Sequence, residues 1–468
     1  MSRRSFTMRR CLFSAVPLLL ACAPAVASGI CDYDIDIAGA AATALEIHIQ
    51  CDTADPPAFT FADPDAAAFI ERLADVGSRA HFRIDLDRFA ATGDRYDSAL
   101  RLGRSVLVSP GAILPRPMDP EAELRLRLSS ADGAGHAVGL PVRSDGRYEI
   151  PAGAIGEAGE WVLGQFDTLQ IGGQAATVAI LDARRSVSND DLRRWIEDVA
   201  AGNRRFWGAD PVSPLLLVVL PAAGKSGLPF GRVMAAGGAT VLLLLGEAAG
   251  WDQLYREWVL VHEFLHLGTP LLRDTGIWFN EGIATYFEPI LRARAGWKSE
   301  DEVWHEWLTN MPRSLPALTE TGLMNAPSRR AYYGGALFML LADIELRRGS
   351  AGAIGIEDCL RTVLDSGQDI RIRWPTRRML ETCDRRNGQG GVLASLAAKH
   401  VYGHAALDLD DLWRRLGVAI GADGGVRYDD SAPLAAVRRA IVWGKDRYWT
   451  PIGTYRAPGT ARSFEAPP

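Results

Sequence analysis

His262-Glu263-Phe264-Leu265-His266, followed by Trp278-Phe279-Asn280-Glu281-Gly282, is the stretch on which the reading of this chain turns. On a helix, His262 and His266 stand four residues apart, so both imidazoles project from one face and can share a metal ion. Glu263 follows the first of them and can reach a metal-held water without being a ligand itself. Glu281 offers a third ligand from a following helix. Three protein ligands and one open position describe a catalytic zinc centre, one ion per chain, whereas a structural site closes its fourth position, usually with Cys. The competing reading is a buried helix whose histidines satisfy local hydrogen bonds. With only eight His in 468 residues, and with Asn280-Glu281-Gly282 leading into the apolar run Ile283-Ala284-Thr285-Tyr286-Phe287, the pattern favours the metal.

The same residues resemble the gluzincin zinc peptidases, in which His-Glu-x-x-His is completed by a Glu from an Asn-Glu-Gly or Ser-Glu-Gly segment. The nearer resemblance is to the glycyl-aminopeptidase family, and a more distant one to aminopeptidase N. It rests on a third segment, Ala331-Tyr332-Tyr333-Gly334-Gly335-Ala336, which runs on to Asp343 and Arg347 and is similar to that family's Tyr-Tyr-x-x-Gly helix. Together these motifs span roughly residues 230–370. The resemblance implies a thermolysin-like domain with His262, His266 and Glu281 as zinc ligands. It also implies Glu263 as general base and a Tyr hydroxyl as donor to the oxyanion of a peptide or protein substrate. Matching the trailing Gly-Ala of the motif to Gly335-Ala336 selects Tyr332; a slip of one residue selects Tyr333.

Two departures from the family bear on the reaction. Fourteen residues, 267–280, separate His266 from Glu281, fewer than in the aminopeptidase N pattern. The aminopeptidases also carry a Gly-rich strand ending in a Glu that holds the substrate's free amine. The matching segment here, residues 233–241, has Gly237 and Gly238 and no acid. Those two glycines are expected on an edge strand, where missing side chains let a peptide pair with the backbone; a tight turn is the alternative. Aminopeptidase and endopeptidase activity both stay open, as do a non-catalytic gluzincin-fold binding protein and a zinc hydrolase of a non-peptide substrate.

Residues 1–27 read as a signal peptide. Arg3, Arg4, Arg9 and Arg10 precede an apolar stretch at 12–23, and Ala25-Val26-Ala27 offers a small-x-small cleavage site. The pattern implies export to the periplasm or outer membrane. Leu19-Leu20-Ala21-Cys22 resembles a lipobox, which would anchor the chain to a membrane through a lipid on Cys22. Setting those four Arg aside takes the formal charge from −6 to −10 and excludes nucleic acid as a natural partner. Four cysteines remain, and sequence proximity favours disulfides Cys31–Cys51 and Cys359–Cys383 among three pairings.

Organisation follows from periodicity and turns. Residues 33–37, 45–49 and 124–128 alternate apolar and polar as half-buried strands do, with residues 65–78 reading as a short helix. The chain is expected to be α+β. A β-rich, sandwich-like accessory domain would span 28–172 and a mainly helical zinc-peptidase domain 173–373. A helical region with a loose tail would follow over 374–468. A strand is expected at 176–181, a helix capped from within Ser188-Asn189-Asp190-Asp191 and running to about Phe206, a strand at 214–220, a Gly-rich strand at 233–246 and a single helix over 251–267. His400 and His404 lack an accompanying Glu and read as non-ligands. His305, between Trp304 and Trp307, belongs to a surface aromatic cluster or a pocket wall.

Overall fold

Strands whose two faces meet different partners organise the first half of the molecule. The structure, a computed structural model, describes residues 29–52, 58–61, 66–76, 78–92, 98–172, 176–273, 277–387, 390–444 and 449–458. The targeting segment with Cys22, and residues 459–468 of the tail, lie outside the described residues.

The amino-terminal domain is a sandwich of two sheets. Its main strands are β1 (Ile30–Ala38), β2 (Ala44–Cys51), β3 (Ile70–Val76), β4 (Arg79–Asp85), β5 (Ala99–Leu102), β6 (Ser105–Val108), β7 (Glu123–Ser129), β8 (Gly135–Ala137), β9 (Tyr148–Pro151) and β10 (Trp161–Gly164). Six form one sheet in the order β9-β7-β1-β2-β4-β3, and four form the other, β8-β10-β6-β5. The alternating stretches of β1, β2 and β7 bury one face against the second sheet, as their period of two requires. Residues 70–76 depart from the expected helix. They pair with β4 across a bulge between Arg72 and Ala74, because tertiary pairing overrides the propensity of a short segment.

The second domain begins with a five-stranded sheet of β11 (Asp167–Ile171), β12 (Ala176–Ile180), β13 (Leu215–Ala222), β14 (Phe230–Met234) and β15 (Ala239–Gly246), in the order β11-β12-β13-β15-β14. Since β11 pairs antiparallel with β12, the change of sheet falls just after Gly164, ahead of the position expected from the glycines. The apolar run of β13 is explained by burial on both faces. Leu215, Leu217 and Val219 enter the core shared with the helices, while Leu216, Val218 and Leu220 pack with Leu107 and Val162 of the sandwich.

Helices fill the rest: α1 (Asn189–Trp207), α2 (Trp251–Arg256), α3 (Val259–His266), α4 (Trp278–Ala295), α5 (Glu300–Ser314), α6 (Ser328–Gly349), α7 (Ile356–Asp365), α8 (Thr376–Asn387), α9 (Val392–His400), α10 (Leu409–Leu416) and α11 (Ala435–Trp443). Ser188 caps α1 as expected, its hydroxyl accepting from Asp191 N at 3.1 Å. The single helix expected over 251–267 is two, because Glu257 adopts an extended conformation (φ −79°, ψ 145°) between α2 and α3. Trp304 and Trp307 are fully buried core residues, so the aromatic cluster is internal and His305 alone faces outward. Both expected disulfides are present, Cys31–Cys51 across the β1–β2 pair and Cys359–Cys383 joining α7 to α8.

The closest helix packing is that of α4 on α6. A Cβ on Gly335 would stand 2.7 Å from the Gly282 Cα and collide with the Trp278 carbonyl. Gly335→Ala should therefore destabilise the protein by about 1–3 kcal/mol or more, since the obstructing atoms are backbone. Gly250→Ala is the control, because its Cβ would meet nothing within 4 Å and its φ is −98°. Urea denaturation of both variants should show a large loss for the first and little change for the second.

Candidate metal centre

Helix α3 is short and every one of its residues is buried. Its polar members, His262, Glu263 and His266, are therefore held away from bulk water, where groups of this kind persist only with partners. Glu281 is that partner. It lies in the first turn of α4, with its Oε2 3.0 Å from His262 Nε2 and 3.6 Å from His266 Nε2. The ligating atoms of His262, His266 and Glu281 all lie within 4.8 Å of one another, and no other such group occurs among the described residues. Two imidazoles and a carboxylate converging this closely fit a divalent ion, and zinc in particular by donor type.

The connection between α3 and α4 is held by the Asn of the Asn-Glu-Gly segment. Buried Asn280 accepts from Leu272 N at 3.2 Å and donates to the Pro270 carbonyl at 3.0 Å, so it ties the loop after His266 to the start of α4. Gly282, the next residue but one, admits α6 as described above. Asn280 and Gly282 thus act on either side of the ligand they flank.

Electrostatics follow from this burial. Desolvation lowers the His262 pKa to about 4 against the pull of Glu281. Burial also opposes charge on His266, but the Glu281 carboxylate outweighs it and raises that pKa. Although burial works the other way, hydrogen bonds and charge from the two imidazoles hold Glu281 far below the usual carboxylate range. Glu263 has no such pairing, and desolvation raises it to about 7.

Tyr332 is the tyrosine brought to this group. Its ring stacks on that of His262 with centroids 6.2 Å apart, and burial and the carboxylates of Glu281 and Glu263 push its hydroxyl up to about 12. Tyr333 faces the adjoining cleft, where its hydroxyl donates to Glu306 at 2.9 Å.

Gly237 and Gly238 are not on an edge strand. They form the turn from β14 to β15 and abut the sandwich, where Cβ atoms would stand 2.7 Å from Ile150 and collide with the Gly139 carbonyl. Their φ of +73° at Gly237 and their close approach explain the glycines without a substrate. The edge strand is β14, and its relevant glycine is Gly231. A Cβ there would reach within 2.9 Å of Glu263 Cγ and 2.7 Å of Val259. A lone glycine inside an apolar strand was the available signal for it. Sequence reasoning also passed over Trp258, whose exposed indole meets the His262 ring edge-on at 5.1 Å. Both Trp258 and His262 line a cleft of about 740 Å³ that extends along α4 and α5.

No family model and no curated protein matches the sequence. Among solved structures, an aminopeptidase N family protein from Idiomarina loihiensis is similar at 13% identity and a TM-score of 0.61, over 83% of this chain and 78% of that one. Yeast LTA4 hydrolase is similar at 13% identity and a TM-score of 0.47, over 83% and 72% of the two chains. An M1 zinc metallopeptidase from Deinococcus radiodurans is similar at 13% and 0.45, over 82% and 95%. The first likeness gives the fold, that of an aminopeptidase N family protein.

Metal analysis of purified protein should find one zinc per chain. His262→Ala, His266→Ala and Glu281→Ala should each lose most of it, because each removes one of three donors. Full occupancy in all three variants would place the metal elsewhere.

Proposed function

We propose that this chain is a zinc-dependent peptidase in which Glu263 is the general base and Tyr332 the oxyanion donor. The observation that carries the reading is the convergence of His262, His266 and Glu281 beside a Glu263 that is not a ligand, within a gluzincin fold. A zinc ion at such a site supplies Lewis acidity and lowers the pKa of water toward neutrality. Glu263 takes the proton of the attacking water and delivers it to the leaving amine. Its pKa of about 7 suits a carboxylate that must both accept and release a proton near neutral pH. Tyr332 keeps its proton at that pH and donates a hydrogen bond to the oxyanion as the carbonyl becomes tetrahedral. Strand β14, whose Gly231 lies close against Glu263, forms the edge of the sheet beside the site.

The chain acts outside the cytoplasm in this reading, in the periplasm or at the outer membrane. Two disulfides suit an oxidising compartment, as does the amino-terminal targeting pattern; a lipid on Cys22 would add a membrane anchor.

Glu263→Gln should retain zinc and lose hydrolysis, since an amide cannot accept the water's proton. Tyr332→Phe should retain zinc and substrate binding while kcat falls by roughly a hundredfold. Tyr333→Phe serves as the comparison, and the opposite pattern between the two would reassign the donor. Wild-type turnover by the Glu263 variant would remove it as the base.

Substrate ends provide a separate measurement. An ammonium group leaving water needs a charged partner, and β14 presents none. Of the acids near the site, Glu288 is engaged with Arg292 at 2.7 Å. Amino-blocked peptides should accordingly be cleaved at least as well as free ones. A strict requirement for a free terminus, measured on paired substrates, would make the enzyme an aminopeptidase.

A further inference from the structure

Helix α4 extends from the metal ligands into the cleft along a single face. Glu281, Thr285, Glu288 and Arg292 recur at helical spacing, and the last three line the cleft wall. The carboxylates there are already engaged. Glu288 Oε1 accepts from Arg292 Nη1 at 2.7 Å. Glu306 pairs with Lys298 at 2.5 Å and accepts from Tyr333. Glu302 accepts from Ser299 N at 2.6 Å in the cap of α5.

Two guanidinium groups that line the same cleft are not engaged. Arg256 and Arg329 are exposed, and neither side chain has a hydrogen bond or ion pair with a described residue. Arg329 lies in the first turn of α6, three residues ahead of Tyr332, and that turn contains no acid. Positive charge at a helix start is unfavourable, and an anion held there would relieve it. A third group is short of a partner inside the wall. Thr285 is 8% exposed, yet its Oγ1 is buried without a hydrogen bond, one helical turn beyond Glu281. A hydroxyl in that position can donate to whatever enters the cleft.

We propose that this cleft is a specificity subsite for a substrate carboxylate. Arg256 and Arg329 supply the charge and Thr285 a buried hydroxyl donor. The inference rests on the peptidase reading and narrows it to substrates that bring an anion beside the scissile bond. The carboxylate is that of an acidic side chain or of the peptide's own carboxyl terminus.

Two matched peptide series distinguish these sources. One exchanges Glu for Gln at each position around the cleaved bond, and the other compares free with amidated carboxyl termini. Removing the recognised charge should lower kcat/KM by about tenfold or more, the effect expected of hydrogen bonds to a charged group. The loss should fall on KM. In the Arg256→Gln/Arg329→Gln double variant the charged and neutral members should become equivalent, and Lys at both positions should restore part of the preference. Thr285→Val should weaken the charged member more than the neutral one. The same peptides titrated onto Glu263→Gln protein read the cleft without turnover. Tighter binding of the charged member there, with no hydrolysis of any peptide by the wild type, would support the subsite and reject the peptidase. Equal affinity for both members, or a preference that survives in the double variant, overturns the proposal.

Discussion

The contact between Gly282 and Gly335 is the constraint on which the rest of the site depends. With side chains absent from both, α4 and α6 cross at backbone distance, and a Cβ on Gly282 would stand 2.6 Å from the Gly335 Cα. Glu281 immediately precedes one glycine, and Tyr332 stands three residues before the other. Helical periodicity therefore carries Glu281 and the Tyr332 hydroxyl to the same crossing point. Further along the two helices, Tyr286 donates to Asp343 at 2.8 Å, and Asp343 pairs with Arg347, which in turn reaches Glu357 at 2.8 Å. That buried network adds little net stability on its own account. Its consequence is register: sliding α4 along α6 would take the Tyr286 hydroxyl away from the buried Asp343 carboxylate.

Burial then sets the chemistry of each acid differently, although Glu263 and Glu281 sit close together. Glu281 lies between two imidazoles and stays ionised, whereas Glu263 faces the open Cα of Gly231 and is raised by desolvation. Environment thus moves the two carboxylates in opposite directions, Glu281 down and Glu263 up. A side chain at 231 would collapse that distinction by pushing on Glu263 itself. The edge strand thus contributes to the site through an atom it lacks.

Local spacing made the His262–His266 pair legible, because an i, i+4 pair on a helix needs no tertiary information, and the fold brings Glu281 to it. Ser188, the alternating strands and both disulfides were legible for the same reason: each is fixed by residues close in sequence. The Tyr332-Tyr333 pair was legible as a pair, and it is Tyr332 whose ring stacks on that of His262. What sequence did not reveal depends on contacts between distant segments. Gly237 and Gly238 were conspicuous as a pair, but they serve the approach of Ile150 and Gly139, while the solitary Gly231 faces Glu263. The break at Glu257 follows a similar logic, since the Arg256 carbonyl it frees accepts from Arg292 Nη2 at 2.7 Å. The pairing of β3 with β4 likewise outweighs the helical reading of that segment.

The amino-terminal sandwich is described poorly as an accessory. Strands β6 and β10 are buried on both faces, Val106, Val108, Trp161 and Leu163 inward and Leu107 and Val162 against the five-stranded sheet. Glycines 139 and 159 let the sandwich close onto Thr240 of β15, the strand that carries β14 on its free side. Buried Glu160, from the turn before β10, pairs with Arg232. Arg232 is the neighbour of Gly231, so a charge from the sandwich fixes the strand that must stay clear of Glu263. Without the sandwich, Leu216, Val218, Leu220 and Leu242 would face water, and the edge strand would lose the ion pair beside its open glycine. The sandwich is therefore part of what shapes the surroundings of His262, His266 and Glu281, even though it supplies none of the three.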